Sequence, residues 1–459
     1  MIFEDTISAI STANGEAGIG IIRISGEHAI EVADAMFQAM SGKPISEMGS
    51  YRAAYGRIVD GAGEMMDEAI ALLMRSPGSY TGEDVVELQC HGGRIALQNA
   101  LRRSYEAGAR PAERGEFTKR AFLNGKMDLS QAQSVMDLVQ AKTDASYRAA
   151  VGRLFGRCSG QIQDIRYRIL EMIAHLEAMI DFPEEDLEDV SIPAIRKKVV
   201  DIVNKMDHIL RAAPMGHILR NGIMTAIIGK PNVGKSSLLN TLLQEDRAIV
   251  TDIPGTTRDS IEEWANVEGI PLRIIDTAGI RSTDDAVERI GVEKARSCAE
   301  RASLVLALFD GSEELTGEDE EILSMAEGKS VIFLVTKSDL PRQIDSSRLQ
   351  ERFPSVPLIS ISVRTGAGMN DLAHAIAAQA GASWDIENEV FLRDEREENI
   401  LRQARESLSS SIFAIDSGMG EDFVSIDLRS AWEKLGEFTG ESIGEDIIDE
   451  IFSRFCIGK

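Results

Sequence analysis

The stretch Met224-Thr-Ala-Ile-Ile-Gly229-Lys-Pro-Asn-Val-Gly234-Lys235-Ser236 determines the fold of the central part of the chain. It starts with a short apolar run typical of a buried strand. Ser237-Leu-Leu-Asn-Thr-Leu-Leu, directly after it, has the apolar spacing of a helix. A glycine-rich loop that ends in Gly-Lys-Ser between a strand and a helix is the P-loop pattern, whose backbone N–H groups bind phosphates. We therefore predict that Lys235 contacts the terminal phosphates of a nucleotide and that the Ser236 hydroxyl binds Mg²⁺.

Further motifs follow in the order of a GTP-binding domain. The apolar run Leu272-Arg-Ile-Ile ends in Asp276-Thr277-Ala278-Gly279, where the aspartate can hold Mg²⁺ through water and the last N–H can meet the γ-phosphate. The run Val331-Ile-Phe-Leu-Val ends in Thr336-Lys337-Ser338-Asp339. The Asp339 carboxylate can accept hydrogen bonds from guanine N1–H and the exocyclic amine, which adenine does not offer. Ser362-Val363-Arg364 is a second, weaker base-contacting loop.

These residues resemble the translation-factor-like class of small GTPases. The fourth motif of that class is usually Asn-Lys-x-Asp, whereas this chain has Thr336 in the place of the asparagine. We expect the threonine to weaken the tether between the base-binding loop and the P-loop and to lower nucleotide affinity. Asp339 is present, so we expect the preference for guanine to be kept.

The switch region is similar to that of potassium-activated GTPases. Ile280 stands near the place where Ras-type enzymes have a glutamine that orients water. The P-loop contains Asn232, and Thr251-Asp-Ile-Pro-Gly-Thr-Thr-Arg-Asp259 resembles the switch loop of the potassium-activated class. Arg258 and Arg281 are alternative sources of positive charge, although exposed arginines are the simpler interpretation. The resemblance implies that Thr257 joins Ser236 on Mg²⁺ and that K⁺ is bound by Asn232, Thr251, Ile253 and Thr256.

The pattern of apolar residues changes twice along the chain. Residues 1–118 indicate a mixed α/β domain, with strands at Ile19–Ile24 and Ala69–Met74. Residues 129–210 have few glycines and prolines and a helical apolar spacing, and helical patterns return over 388–413 and 432–455. We infer a discontinuous helical domain, 119–215 and 381–459, with a GTPase domain inserted at 216–380.

Composition limits where the protein works and what it binds. The net charge is −26, so contact with a nucleic acid requires a local basic patch or a partner that supplies one. The four cysteines form no Cys-x-x-Cys pair, and no run of about 18 apolar residues is present. We expect a cytoplasmic protein that does not enter a membrane.

Motifs outside the GTPase domain resemble those of the MnmE (TrmE) family of tRNA-modifying GTPases. They are Thr81-Gly-Glu-Asp-Val-Val-Glu-Leu-Gln-Cys-His-Gly-Gly93, Pro111-Ala-Glu-Arg-Gly-Glu-Phe-Thr-Lys-Arg-Ala-Phe-Leu-Asn-Gly-Lys-Met-Asp-Leu129 and the terminal Phe455-Cys-Ile-Gly-Lys459. The resemblance extends over the whole chain. It implies a multidomain α/β plus all-α protein, with an N-terminal α/β folate-binding domain, a discontinuous helical domain and a P-loop GTPase domain with a mostly parallel sheet.

The same resemblance implies an activity and partners. A homodimer formed through the N-terminal domain would bind a tetrahydrofolate one-carbon donor, in the 5,10-methylene or 5-formyl form. With an FAD-dependent partner of the MnmG (GidA) family it would add a carboxymethylaminomethyl-type group to carbon 5 of the wobble uridine of certain tRNAs. K⁺-stimulated GTP hydrolysis would drive the cycle, with Lys235 on the phosphates and Glu288 orienting the attacking water.

Specific residues follow from these motifs. The predicted GTP site comprises Asn232, Val233, Gly234, Lys235, Ser236, Ser237, Thr251, Thr256, Thr257, Asp276, Thr277, Ala278, Gly279, Thr336, Lys337, Asp339, Ser362, Val363 and Arg364. The predicted folate site comprises Arg23, Glu83, Lys126 and Lys459. Alternatively, Glu83 caps a helix and the basic residues are solvated. The main alternative function is a ribosome-assembly GTPase switch, which would share the nucleotide site. The acidic charge and the large N-terminal portion disfavour it.

Overall fold

The computed structural model describes residues 4–13, 15–181, 191–244, 263–275, 296–381 and 389–459. The chain forms two compact units. The first contains Met1–Met136 and Glu433–Lys459, and the second contains Asp137–Trp432.

The first unit is built on a seven-stranded sheet. Its strands are β1 (Thr6–Ile10), β2 (Ala17–Gly26), β3 (Phe37–Ala39), β4 (Arg52–Val59), β5 (Met65–Met74), β6 (Val85–Gly92) and β7 (Arg110–Pro111). Their order is β3-β4-β5-β6-β2-β1-β7, and every neighbouring pair is antiparallel except β1 and β7. The strands predicted at 19–24 and 69–74 are therefore confirmed as parts of β2 and β5.

Helices cover one face of this sheet because its strands alternate apolar and polar residues. α1 (Ala29–Met36) and α2 (Arg94–Glu106) pack against Ile22, Ile24 and Leu88, whose side chains form the core of the unit. A short 3₁₀ helix occupies Ile45–Glu47. α3 (Glu116–Leu123) and α4 (Leu129–Gln140) then follow along the chain.

Long helices form much of the second unit, as predicted. They are α5 (Asp144–Leu154), α6 (Arg157–Asp181) and α7 (Ile192–Asn221). The apolar spacing of α6 is realised as a buried stripe that includes Ile165, Ile169 and Leu176. α7 leads directly into the strand that carries the P-loop.

A six-stranded sheet forms the nucleotide-binding part of this unit. Its elements are β8 (Ile223–Gly229), α8 (Lys235–Gln244), β9 (Glu263–Val267), β10 (Ile270–Ile274), β11 (Leu304–Asp310), α9 (Gly317–Ala326), β12 (Val331–Thr336), α10 (Ser347–Arg352), β13 (Leu358–Ser360) and α11 (Met369–Gln379). The strand order is β13-β12-β11-β8-β10-β9. All pairs are parallel except β9 with β10, so the prediction of a mostly parallel sheet is confirmed.

The chain then returns to the helical part of the second unit. The helix predicted to begin at residue 388 instead begins later, as α12 (Glu395–Asp416), because Asp394 caps its N-terminus by accepting a hydrogen bond from the Glu397 N–H. α12 packs on α7, and Arg405 pairs with Asp207 at 2.9 Å between them. The two helical stretches on either side of the nucleotide domain are therefore in contact.

The C-terminal helices lead back to the first unit. They are α13 (Glu421–Thr439) and α14 (Glu445–Ser453). The sequence predicted a single stretch over 432–455, but the chain turns at Gly440, which has a left-handed φ of +93°. Phe452 and Phe455 pack with Leu129 of α4, which places the C-terminus in the N-terminal unit.

The predicted fold class is confirmed: α/β domains and a discontinuous helical domain with an inserted nucleotide-binding domain. The domain boundaries at 118, 215 and 380 stay a prediction. Of the helices in the described ranges, none combines the length and the apolar character that a membrane crossing would require.

Candidate functional site

The P-loop joins β8 to α8 through a backbone that needs glycine. Gly229 has a φ of +157° and Gly234 a φ of +105°, which side-chain-bearing residues rarely adopt. A Cβ at position 229 would lie 2.8 Å from the Leu308 carbonyl oxygen. Asn232 also has a left-handed φ, of +59°, and asparagine tolerates this region better than most residues. The loop therefore turns its backbone around the start of α8.

The Lys235 ammonium group lies inside this loop. Its Nζ donates hydrogen bonds to the Gly229 carbonyl at 2.7 Å and to the Lys230 carbonyl at 2.6 Å. Burial lowers the pKa of Lys235 below its ordinary value. Ser236 and Ser237 follow in the first turn of α8, where backbone N–H groups without helical partners favour anions. This arrangement suits a triphosphate.

Thr336, at the end of β12, contacts the P-loop directly. Its buried hydroxyl donates to the Val233 carbonyl at 2.8 Å, with the Phe309 carbonyl at 3.2 Å as a second acceptor. The base-binding loop is thus connected to the P-loop, and the threonine hydroxyl makes the contact that we expected to be weakened. Whether it is weaker than an asparagine contact stays a prediction, which the affinity of a Thr336 variant will decide.

Asp339 contacts Ser362 and Arg364 of the loop that the sequence predicts to contact the base. Its Oδ1 accepts a hydrogen bond from the Ser362 hydroxyl at 2.6 Å, and its Oδ2 accepts from Arg364 Nε at 2.9 Å. The Ser362 hydrogen bond, followed by that of Arg364, holds the pKa of Asp339 below its ordinary value. The carboxylate is therefore ionised and positioned, as recognition of a guanine edge requires.

Asp310 is a residue of this site that the sequence analysis missed. It ends β11, and its carboxylate pairs with Lys337 Nζ at 2.5 Å. Burial opposes ionisation of Asp310, but the hydrogen bonds from Lys337 and Ser312 outweigh it and lower its pKa. Lys337 itself has a left-handed φ of +55°. The signal that could have identified Asp310 is its position at the end of the otherwise apolar run of β11.

Several predicted site residues lie outside the described ranges. They are the switch, metal-binding and catalytic residues Thr251, Ile253, Thr256, Thr257, Asp276, Thr277, Ala278, Gly279 and Glu288, with the arginines Arg258 and Arg281. Their assignments stay predictions.

In the first unit, Glu83 lies in the bend before β6. Its Oε2 accepts from the Ser25 hydroxyl at 2.7 Å, and its Oε1 accepts from Arg120 Nη1 at 3.1 Å. The alternative that Glu83 caps a helix is wrong, because a strand follows it. The carboxylate is largely buried and is fixed by two donors.

Arg120 is the residue that the sequence analysis missed here. It is fully buried on α3, and its guanidinium contacts Asp5 at 2.6 Å and Glu116 at 2.9 Å in addition to Glu83. Arg110 pairs with the same Asp5 and Glu116. A basic residue on the apolar face of α3, between Phe117 and Ala121, was the signal that could have identified it.

Two of the predicted folate-binding cations stand close together. Arg23 Nε donates to Glu87 at 2.9 Å, and its guanidinium lies 5.5 Å from the centre of the Tyr80 ring. Burial and the charge of Arg23 both lower the pKa of Lys459, although Glu87 opposes them. Arg23 Nη1 also donates to the Gly458 carbonyl at 3.4 Å, so the C-terminal residues meet β2.

Lys126, the third predicted cation, lies near Gly82. Its Nζ donates to the Pro77 carbonyl at 2.9 Å. Its Cγ lies 3.3 Å from the position that a Cβ would take on Gly82, which has a left-handed φ of +81°. The structure thus brings Lys126 next to the Thr81-Gly-Glu83 motif.

Comparison with known proteins identifies the family. The model of the MnmE helical domain matches residues 129–456, and that of the GTP-binding protein TrmE N-terminus matches residues 6–126. The tRNA modification GTPase MnmE of Alkaliphilus metalliredigens (strain QYMF) is 46% identical over 461 residues, which covers 100% of both chains. That of Geobacillus kaustophilus (strain HTA426) is 46% identical over 458 residues, or 99% of each chain. That of Symbiobacterium thermophilum is 47% identical over 457 residues, covering 99% of this chain and 100% of the relative. The chain therefore belongs to the MnmE family of tRNA modification GTPases and is a GTP-hydrolysing enzyme.

Proposed function

We propose that the chain is a potassium-activated GTPase that works with an FAD-dependent partner of the MnmG (GidA) family. Together they add a carboxymethylaminomethyl-type group to carbon 5 of the wobble uridine of certain tRNAs, using a tetrahydrofolate one-carbon donor. The observation that carries the proposal is the fixed, largely buried Glu83 carboxylate in the first unit, with Arg23 and Lys459 in the same unit. If the chain were a ribosome-assembly GTPase, the Glu83 carboxylate would have no role in its function.

The nucleotide part of the proposal rests on three side chains. Lys235 brings a positive charge to the P-loop, Thr336 ties the base-binding loop to the P-loop, and Asp339 presents an ionised carboxylate beside Ser362. An adenine base would leave that carboxylate without its two donors, and such a loss is costly in a binding site. GTP is therefore the proposed nucleotide.

The described P-loop residues fit both proposed cations. Ser236 places a hydroxyl in the first turn of α8, where a Mg²⁺ ligand of a P-loop stands, and Asn232 supplies an amide oxygen for K⁺. When bound, the two cations would offset negative charge on the phosphates during transfer. Thr257 and the carbonyls of the switch loop complete the proposed ligand set.

The Glu83 environment fits one edge of a pterin. The Glu83 carboxylate accepts a hydrogen bond from the Ser25 hydroxyl at 2.7 Å on Oε2, and Arg120 Nη1 donates to Oε1 at 3.1 Å and to Oε2 at 3.4 Å. A carboxylate has about four acceptor sites, so Glu83 can also receive an N–H and a neighbouring amino group. Bound tetrahydrofolate would supply the one-carbon unit. Arg23, Lys126 and Lys459 provide positive charge for its anionic glutamate tail.

The proposed homodimer has an apolar surface available on the first unit. Tyr55, Ile70 and Ile21 lie on one face of β4, β5 and β2, with Gln89 of β6 between the last two in register. Tyr55 and Ile70 are exposed, as is Ile19, which lies two residues before Ile21 on β2. A second copy would remove this row from water. Tyr55→Glu with Ile70→Glu is expected to give a monomer in sedimentation equilibrium, and an unchanged dimer would refute the assignment of this face.

Calorimetry with 5-formyltetrahydrofolate and the full chain tests the folate site. Glu83→Ala removes two hydrogen bonds to a charged acceptor, each worth about 1.5–3 kcal/mol. We therefore expect affinity to fall on the order of 100-fold or more. Glu31→Ala, an exposed glutamate of α1, is the matched control and should bind normally.

GTP hydrolysis by each variant should be normal, because Glu83 lies outside the unit that carries the P-loop, and far-UV circular dichroism shows whether the first unit is folded. The absence of folate binding to the wild-type chain would remove the one-carbon role. Normal binding of 5-formyltetrahydrofolate by Glu83→Ala would show that the pterin binds at a different place.

A further inference from the structure

We propose that Lys230 is a positioning residue of the P-loop, which fixes the backbone that directs Lys235 toward the phosphates of the nucleotide. The proposal rests on the nucleotide part of the proposed function, because it takes Lys235 to contact those phosphates. Lys230 acts without touching the nucleotide, since its own ammonium group is held at the N-terminus of α9.

The backbone of Lys230 holds the ammonium group of Lys235. Lys235 Nζ donates hydrogen bonds to the Lys230 carbonyl at 2.6 Å and to the Gly229 carbonyl at 2.7 Å. β8 ends at Gly229, which is still in register with Leu308 of β11, whereas Lys230 lies beyond the sheet. The strand therefore fixes one of the two carbonyls, and another group must fix the other.

The side chain of Lys230 supplies this anchor. Its Nζ lies 2.8 Å from Asp319 Oδ2 and donates to the Thr316 hydroxyl at 3.3 Å. The exposed fraction is 11% for the Lys230 side chain and 2% for that of Asp319, so the ion pair is sheltered from water. Sheltered charges attract each other strongly, and loss of one partner leaves the other buried at a high cost. The pair therefore holds residue 230 more firmly than an exposed salt bridge would.

The first turn of α9 gives the anchor a rigid base. Asp319 Oδ2 also accepts from the Thr316 N–H at 2.8 Å and from the Thr316 hydroxyl at 3.0 Å, which forms the capping box of the helix. Ile322 and Leu323, in the next turn, are buried in the same core as Ile228 of β8. The carboxylate is therefore fixed relative to the strand from which the P-loop leaves.

The alternative role for Lys230 is a phosphate contact of its own. The two roles give opposite predictions for Asp319. If Asp319 anchors Lys230, loss of its charge loosens the P-loop and weakens nucleotide binding. If Lys230 contacts a phosphate, loss of the competing carboxylate frees the ammonium group and leaves binding unchanged or makes it tighter. The 2.8 Å pair with a buried carboxylate favours the first role.

Titration of the full chain with a fluorescent GDP analogue, followed by competition with GTP, GDP and GMP, tests the proposal. Lys230→Met should lower the affinity for GDP and GTP on the order of tenfold, as is typical of residues coupled through one hydrogen-bond network. The affinity for GMP should be unchanged, because GMP lacks the terminal phosphates that a P-loop lysine contacts. Lys230→Arg keeps the charge and should bind all three nucleotides like the wild type.

Asp319→Asn removes the charge of the anchor and keeps an oxygen that can cap α9. It should also lower the affinity for GDP and leave that for GMP unchanged. Added to Lys230→Met, it should cause no further loss, because the first substitution has already removed the tether. The double variant leaves neither charge of the pair buried alone, so it provides the test if Lys230→Met by itself does not fold.

Matched controls lie close to the anchor. Lys329→Met, three residues after the end of α9, and Glu318→Gln, beside Asp319, remove the same charges and should bind GDP like the wild type. Lys235→Ala separates this proposal from the one on which it rests. If Lys235→Ala binds GDP normally, Lys235 does not contact the phosphates and the nucleotide part of the proposed function fails.

Three outcomes would overturn the role of Lys230 and leave that of Lys235 intact. One is wild-type GDP affinity in Lys230→Met. Another is an equal loss of GDP and GMP affinity in that variant, which would show a general disturbance of the site. The third is unchanged or higher GDP affinity in Asp319→Asn, which would give Lys230 a direct phosphate contact.

Discussion

The hydroxyl of Thr336 offers a sharp test of how the nucleotide site is organised. Thr336→Val keeps the shape of the side chain and removes its only donor. No cavity is created, so a change in nucleotide affinity reports the lost hydrogen bond rather than lost packing. The expected result is weaker binding of GTP and GDP by the same factor, because the contact supports the loops and not the γ-phosphate.

The size of the effect follows from the geometry. The single proton of the hydroxyl is directed mainly to Val233, at 2.8 Å, since the Phe309 carbonyl is farther away, at 3.2 Å. Loss of one buried hydrogen bond is worth about 1–2 kcal/mol, or roughly 5- to 30-fold in affinity. Thr336→Asn replaces one O–H donor with two N–H donors, and we expect it to raise affinity by up to about tenfold if the threonine tether is the weaker one.

Equilibrium titration with a fluorescent GDP analogue measures these changes. Thr336→Ser keeps the hydroxyl and is the matched control, with an expected affinity within about threefold of the wild type. Wild-type affinity in Thr336→Val would refute the tether. Wild-type or weaker affinity in Thr336→Asn would refute the expectation that the replacement lowers affinity.

The remaining predictions concern the base, the cation and the attacking water. Asp339→Asn should move the preference from GTP toward xanthosine triphosphate in competition binding, and unchanged GTP affinity would remove Asp339 from the base site. GTP hydrolysis should be much faster in KCl than in NaCl, since electrostatic stabilisation of a transferring phosphoryl group contributes on the order of 10³–10⁵ in rate. Asn232→Ala should remove most of that difference, and equal rates in both salts for the wild type would contradict K⁺ activation. Glu288→Ala should lower the rate constant of GTP hydrolysis in single-turnover assays and leave GTP affinity near normal. A lower GTP affinity would instead give Glu288 a structural role.

Much of the fold could be predicted because the decisive signals are local. The P-loop requires glycines at fixed places between a strand and a helix, and Gly229 and Gly234 take the backbone angles that demand them. Buried strands such as β11 and β12 are continuous apolar runs, and α6 repeats its apolar residues at helical spacing. The sequence did not predict that a helix begins only after Asp394 or that the chain turns at Gly440. At both places the helical spacing of apolar residues continues past the cap or the turn, so the pattern alone does not mark the helix end.

The parts of the sites that could not be predicted depend on contacts between distant segments. Arg120 meets Asp5 and Glu83 across 115 and 37 residues of sequence, and no pattern along the chain records such a contact. The Thr336 hydroxyl reaches the P-loop across 103 residues, which only the parallel order of β12, β11 and β8 explains.

The most direct test of the proposed function is mass analysis of the wobble uridines in tRNA from cells that lack this chain. We expect nucleosides carrying the aminomethyl-type group at carbon 5 to disappear from these cells. They should return when the wild-type chain is supplied, and should not return with Glu83→Ala. An unchanged nucleoside profile in the cells without the chain would contradict the proposed tRNA modification.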